Sequence, residues 1–210
     1  MASPLLSRDE AKERLGNAVQ AVESRSCAEV VISVRPWAQS WAGVDFGLAA
    51  AVAYTTLLYM LFAPQVFGLL WIALITPTAF GAGVMAARSV PGLRAALAGG
   101  PRLEEAVKRA AEARFVELGV TATRERSGIL VYVGLTERRC KVVADVGVHA
   151  RVPKDEWKKA AETVESSIAK HGVGAEGLAA LCKAVEALGD VLEGPMPRAA
   201  DDINELEDVA

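Results

Sequence analysis

The sequence predicts an α/β fold interrupted by a two-helix transmembrane hairpin. Three observations carry that expectation. The 42 residues from Phe46 to Ala87 contain no Asp, Glu, Lys, Arg or His, about twice the roughly 20 apolar residues one helix needs to cross a bilayer. One Val/Ile-rich run precedes that stretch and two follow it, and neither side alone has enough strands for a stable sheet. The flanks also carry amphipathic helical patterns. Three strands and four such helices fit one layered domain, with the hairpin inserted where its two ends lie close together. The expected organisation is residues 1–36 as the first part of the domain, 45–88 as the hairpin, 101–194 as the second part and 195–210 as an acidic tail.

Taken in order, Ser7 with Glu10 three residues on forms a capping box for a helix to about Ser24, with Leu15, Val19 and Val22 on one face. Ala28–Arg35 follows as a strand rich in Val and Ile, ended by Pro36. Pro64-Gln65 breaks the apolar stretch into helices of about 46–63 and 66–87. Gly47 with Ala51, and Ala79, Gly83 with Ala87, place small residues four apart, a spacing that lets helices approach closely within the hairpin or between chains. The exit 89–100 is rich in Pro and Gly, with a short interfacial helix around Leu93–Leu97. Pro101 suits a first helical position; Leu103, Val107, Ala110, Phe115 and Leu118 then form a stripe ending at Gly119, a C-cap. Gly128–Leu135 and Arg139–Val146 read as strands joined by the tight turn Thr136-Glu137-Arg138. Two helices close the domain, Pro153–Lys170 and Glu176–Leu192. The tail from Gly194 has five acids among the ten residues from Asp201 and reads as extended or mobile.

Charge excludes some classes. Net charge is -3, without the basic excess of a nucleic-acid binder. Cys27, Cys140 and Cys182 are widely spaced with no CxxC pair, so neither a zinc ribbon nor a disulfide framework is indicated. Met1–Asn17 has no apolar core of a secretory signal, and the first apolar segment is expected to direct insertion. Arg35 precedes the hairpin, and Arg88, Arg94 and Arg102 follow it. The positive-inside rule then puts both termini in the cytoplasm, in an inner (plasma) membrane. Trp37 and Trp41 suit either an interfacial anchor or core packing.

The candidate ligand-binding residues are Glu29, Glu137, Arg138, Arg139 and Asp145. Glu29 and Asp145 could ligate a hard cation, calcium or magnesium, which takes oxygen ligands. Glu137-Arg138-Arg139 could meet phosphate or carboxylate through guanidinium geometry. Asp145 ends a strand, where sites often form in α/β sheets. Each has a plainer reading: a strand-end charge paired with an arginine, a solvated turn, a turn-forming Asp. His149 and His171 have no ligand spacing. No P-loop, GxGxxG, HExxH or GxSxG motif is present.

The order of short motifs resembles the TPM domain, a family named for a thylakoid-lumen phosphatase-like protein, a photosystem repair factor and a nematode receptor modulator. The resemblance rests on Cys27–Val34, Ser127–Val133, Glu137-Arg138-Arg139, Asp145–Gly147, Trp157 and the closing Asp202-Ile203-Asn204-Glu205-Leu206. It is nearest to a bacterial membrane-anchored branch. Of the family's glycine-rich turn after the arginine strand, only Gly147 is evident. The resemblance implies an α/β/α sandwich around a small sheet, and some members are associated with calcium binding and weak acid phosphatase activity. Two functions follow as expectations. One is a two-span membrane protein whose cytoplasmic domain is a binding or assembly module for an unidentified protein partner, with the bilayer and a homo-oligomer through the Gly/Ala faces as further partners. The alternative is a membrane-tethered, divalent-metal-assisted phosphatase with Glu29, Glu137 and Asp145 as ligands and an arginine as phosphate clamp.

Overall fold

A computed structural model describes residues 9–90, 99–123, 125–198, 206 and 209. The fold is mixed α/β, mostly helical, with one small three-stranded sheet. The chain divides into two compact units, Met1–Ala38 with Glu104–Ala210, and Gln39–Leu103.

In the first unit, α1 spans Asp9–Glu23 and opens on two acids, Asp9 and Glu10, which its N-terminal dipole favours. Ser7, the expected cap, lies outside the described residues. Leu15, Val19 and Val22 are buried as their spacing requires, with Ala11 and Ala18 filling the same stripe. Strand β1 (Glu29–Arg35) pairs parallel with β2 (Gly128–Gly134), and β2 pairs antiparallel with β3 (Arg139–Ala144), giving the order β1-β2-β3. The central strand reads GILVYVG and is buried at every position, as a strand covered on both faces must be.

The period-2 alternation of these strands sorts the core into two clusters. Val30, Ile32, Ile129, Val131, Val133 and Val142 pack with residues of α1, of α6 (Lys154–His171) and of α7 (Ala175–Leu192). Val31, Leu130 and Tyr132 pack with Val107, Ala111 and Phe115 of α4, which spans Gly100–Glu117. Gly119 caps α4 in the left-handed region at φ 66° and leads into a 3-10 turn, Val120–Ala122. The helical stripe lands on Ala111 where sequence reading chose Ala110, which is only partly buried.

Several expected boundaries move, those of the hairpin helices among them: they run Ala42–Phe62 and Leu69–Ser89 rather than about 46–63 and 66–87, so Asp45 and Arg88 lie within them. β2 stops at Gly134 and β3 at Ala144. Asp145 does not continue the strand; it caps a six-residue helix α5, Val146–Arg151, that the sequence reading lacks. Six residues are too few to show a helical period. The expected mobile segment from residue 195 is also docked at its start: Met196 is fully buried, and its carbonyl accepts from Cys27 N–H at 3.0 Å. Further on, Val209 bridges Ile32 in parallel register, and Leu206 packs on the α4 side of the sheet. The acids Asp201, Asp202 and Glu205, and the short helix expected at Leu93–Leu97, lie outside the described residues.

The second unit is a helical hairpin. Helices α2 (Ala42–Phe62) and α3 (Leu69–Ser89) are both long and apolar enough to cross a membrane. Their large apolar side chains point outward, with Phe62 82%, Leu69 83% and, in the connection, Val66 99% exposed. The helices meet at Gly83, where an added Cβ would lie 2.7 Å from Ala49 Cα; Gly83 and Ala87 are buried. Phe46 stacks on Phe80 with ring centroids 6.2 Å apart. At the open end, Arg88 Nε lies 3.4 Å from Asp45 Oδ2, so the two ends of the hairpin are held side by side. Of the small-residue pairs, Gly83 and Ala87 serve the hairpin itself, whereas Gly47 and Ala51 stay exposed. The two tryptophans also part: Trp41 is buried with Leu103, and Trp37 is 62% exposed.

Candidate functional site

The register sorts the five sequence-chosen residues to opposite ends of the sheet. Glu29 faces Gly128 at the amino ends of β1 and β2. Ala144 faces Ile129, and Asp145 N–H donates to Gly128 O at 2.9 Å, so Asp145 shares that end. Glu137 and Arg138 lie in the turn beyond Gly134, and Arg139 faces Gly134, six residues along β2, or about 20 Å away at the rise of a strand. The trio Glu29, Glu137 and Asp145 therefore does not converge. Asp145 directly follows the end of β3, but that strand is antiparallel, so its carboxyl end is the amino end of the parallel pair. The rule that sites form at carboxyl ends concerns parallel strands and here points to the other edge.

At the amino end, the charges are spent on structure. Arg126 grips Asp145 with two bonds, Nε to Oδ2 at 2.7 Å and Nη2 to Oδ1 at 2.9 Å. Oδ1 also accepts the Val146 N–H at 2.7 Å, capping α5. The Arg126 bond, helped by the Val146 amide, holds the Asp145 carboxyl below the usual carboxylate range against the opposing effect of burial. Arg151 pairs with Glu125 at 2.5 Å. Glu29 is buried and already engaged within the protein. Val120 closes on Gly128, where an added Cβ would strike its carbonyl and meet Cγ1 at 2.6 Å. Gly147 is pressed equally hard against the Glu125 and Arg126 carbonyls.

At the carboxyl end, the β2–β3 turn grips the chain as β1 leaves the domain. Leu135 N–H donates to Arg35 O, and Thr136 N–H to Pro36 O, both at 3.0 Å. Thr136 Oγ1 donates to the same carbonyl at 2.6 Å. Ala38 N–H donates to Glu137 Oε1 at 3.0 Å. Glu137 Oε2 is buried and has no hydrogen-bond partner among the described residues; it lies over Gly134, where an added Cβ would stand 2.8 Å from it. A buried carboxylate oxygen without a donor is costly and marks this edge as the one with unspent bonding capacity.

Beside it stands Tyr132, on the same face of β2 as Gly134. Burial, with the negative field of Glu137 behind it, pushes the Tyr132 hydroxyl above its ordinary value, against the opposing fields of Arg35 and Arg114. Arg114 reaches from α4 to donate to Ser33 Oγ at 3.3 Å and to Glu117 Oε2 at 3.2 Å. Around the Tyr132 phenol this edge thus gathers the Ser33 hydroxyl, the Arg35 and Arg114 guanidinium groups and the Glu137 and Glu117 carboxylates, a mixed-charge set suited to binding. Among the described residues it pairs no nucleophile with an adjacent base. Arg138 stands exposed at the turn tip with φ 52°, and Arg139 Nη1 lies 3.7 Å from Glu104 Oε1. Sequence reading chose Glu137–Arg139 here but missed Ser33, Arg35, Arg114 and Tyr132. The available signal was alternation: Ser33 and Tyr132 are the polar-tipped members of otherwise apolar strands.

Among the described residues, no three His, Cys, Asp or Glu side chains come together to hold a metal ion. His149 packs edge-on against Trp157 at 5.9 Å. The thiols of Cys140 and Cys182 are buried, and burial pushes both up, away from the reactive thiolate; Cys27 is half-buried.

No family model and no curated protein matches the sequence. Among solved structures, the chain is similar in fold to the BA42 protein of the psychrophilic bacterium Bizionia argentinensis, solved by NMR. That likeness has a TM-score of 0.56 at 14% identity and covers 97% of this chain and 94% of that one. At that identity the likeness concerns the fold alone.

Proposed function

We propose that this chain is a two-span inner-membrane protein whose TPM-like domain, an α/β/α sandwich, is a cytoplasmic-face binding or assembly module. The observation that carries the reading is the outward apolar surface of α2 and α3, two charge-poor 21-residue helices that leave Phe62, Leu69 and Trp71 facing out. Water disfavours such a surface by about 25 cal/mol per Å², and a bilayer removes the cost. Apolar clusters on both faces of the sheet support the sandwich reading. The separation of Glu29 and Asp145 from Glu137 favours a binding module over the metal-assisted phosphatase, whose three ligands would need one ion within bonding reach. The binding edge in this reading is the carboxyl end of β1 and β2, around Arg35, Tyr132 and Glu137. Exposed Gly47 and Ala51 are the hairpin face left for a second copy.

Three measurements test the reading. The full-length protein should stay in the membrane fraction after alkaline carbonate washing; release into the wash overturns the two-span assignment. An impermeant thiol reagent should label Cys27 only after permeabilisation, since Cys140 and Cys182 are buried; labelling in intact cells reverses the orientation. Co-purification with the wild type and with Arg35→Glu then identifies the partner. A partner lost in the variant places binding at this edge.

A further inference from the structure

The carboxyl edge carries two exposed guanidinium groups, Arg35 and Arg138, and an exposed indole, Trp37, two residues on from Arg35. Their grouping is built. Three hydrogen bonds donated by Leu135 and Thr136 to the carbonyls of Arg35 and Pro36, and one donated by Ala38 N–H to Glu137, fix the turn bearing Arg138 against the segment bearing Arg35 and Trp37. Among the described residues neither Arg35 nor Arg138 makes an ion pair, whereas Arg114 and Arg139 face carboxylates. Two positive charges without an ion pair among the described residues, on the same edge as an exposed tryptophan, match what the headgroup layer of an anionic membrane selects: a positive charge for lipid phosphate and an amphipathic ring for the interface. Chain length sets the reach. Five residues, Trp37–Trp41, precede the first residue of α2, and at full extension they span at most about 18 Å. The chain that presents Trp37 thus enters the apolar helix α2 within five residues.

We propose that Arg35, Trp37 and Arg138 form a headgroup-binding patch for anionic phospholipid. The proposal rests on the two-span reading and adds the partner of this edge. The patch lets the buried Glu137 act at a distance: its bond to Ala38 N–H holds the segment that presents Trp37, so Glu137 is a positioning residue.

The test uses the full-length protein in nanodiscs of phosphatidylcholine alone and of phosphatidylcholine mixed with phosphatidylglycerol. Amide hydrogen exchange of peptides covering residues 34–40 and 134–141 is expected to slow several-fold in the anionic discs, and the difference should vanish in high salt. Arg35→Glu with Arg138→Glu should abolish the difference. Lys170→Glu with Lys183→Glu, the same charge change at exposed sites on α6 and α7, should leave it intact. Equal exchange in the two discs, or a difference that survives in the Arg35/Arg138 variant, overturns the patch. Protection that appears only on adding cell extract also overturns it and assigns the edge to a protein. A chain that never enters nanodiscs overturns the two-span reading with it, an outcome read separately from exchange.

Discussion

The two ends of the three-stranded sheet are built from the same residue types and do different things with them. At the amino end, Asp145 has both oxygens bonded, and Gly128 and Gly147 are jammed against backbone carbonyls. At the carboxyl end, Glu137 keeps one oxygen without a partner among the described residues, and Gly134 is approached only by the tip of a flexible side chain. The first end is finished as structure; the second retains unspent donors and acceptors. A carboxylate at a strand end is thus no guide to function until its partners are counted.

The contrast can be broken most sharply at the glycines. Gly128→Ala and Gly147→Ala should each destabilise the protein by about 3 kcal/mol, because the atoms in the way are backbone and cannot swing aside. Gly134→Ala, at the other end, should cost under about 1 kcal/mol, since Glu137 Oε2 can rotate. Thermal unfolding in detergent compares all three, and equal losses would erase the difference between the ends.

Next in size, Asp145→Ala should cost about 2 kcal/mol through the lost cap and the lost charged bonds. The pH dependence follows its lowered folded value. Stability from Asp145 is complete above the ordinary carboxylate value near pH 4 and fades as pH falls through the depressed folded value. The Asp145→Ala variant should therefore lose less stability than wild type on acidification through that range, followed by unfolding at a series of pH values.

Glu137→Ala should cost about 1 kcal/mol, the worth of one hydrogen bond to Ala38, because removing the carboxylate also removes its unpaired oxygen. Faster amide exchange at Ala38 in this variant checks the clamp directly. The smallest effect belongs to Tyr132→Phe, under about 0.5 kcal/mol at neutral pH. Its signature is spectroscopic. With the hydroxyl value raised in the fold, wild-type stability should fall as pH rises past about 10, the ordinary tyrosine value. The variant should lack that slope and the matching ultraviolet titration step.

Much of the fold was legible from residue patterns. Leu15, Val19 and Val22 in α1, and Leu178, Leu181, Val185, Leu188 and Leu192 in α7, are buried as their periods require. The apolar hairpin was legible for the same reason: periodicity and charge are local properties. Helix α5 was not, since six residues around Gly147 show no period and Asp145 reads equally as strand end or cap. The site was half legible. Glu137 stood out in the turn, but its value lies in contacts with Ala38, 99 residues away, and with Gly134 beneath it. Arg114 and Ser33, 81 residues apart, carry no mark of their meeting.

Alone, the sequence determined where the charge-free hairpin runs, which faces of the helices are apolar and that strands flank the hairpin on both sides. Each of these is written in spacing along the chain. The tertiary structure decided strand order and direction, and with them that Asp145 and Glu137 stand at opposite ends of one sheet. It also decided which carboxylate is fully bonded and which is not. The reason is physical: pairing between strands is a non-local choice, made by burying two faces of β2 at once, and a side chain's bonding state depends on whatever that choice brings beside it.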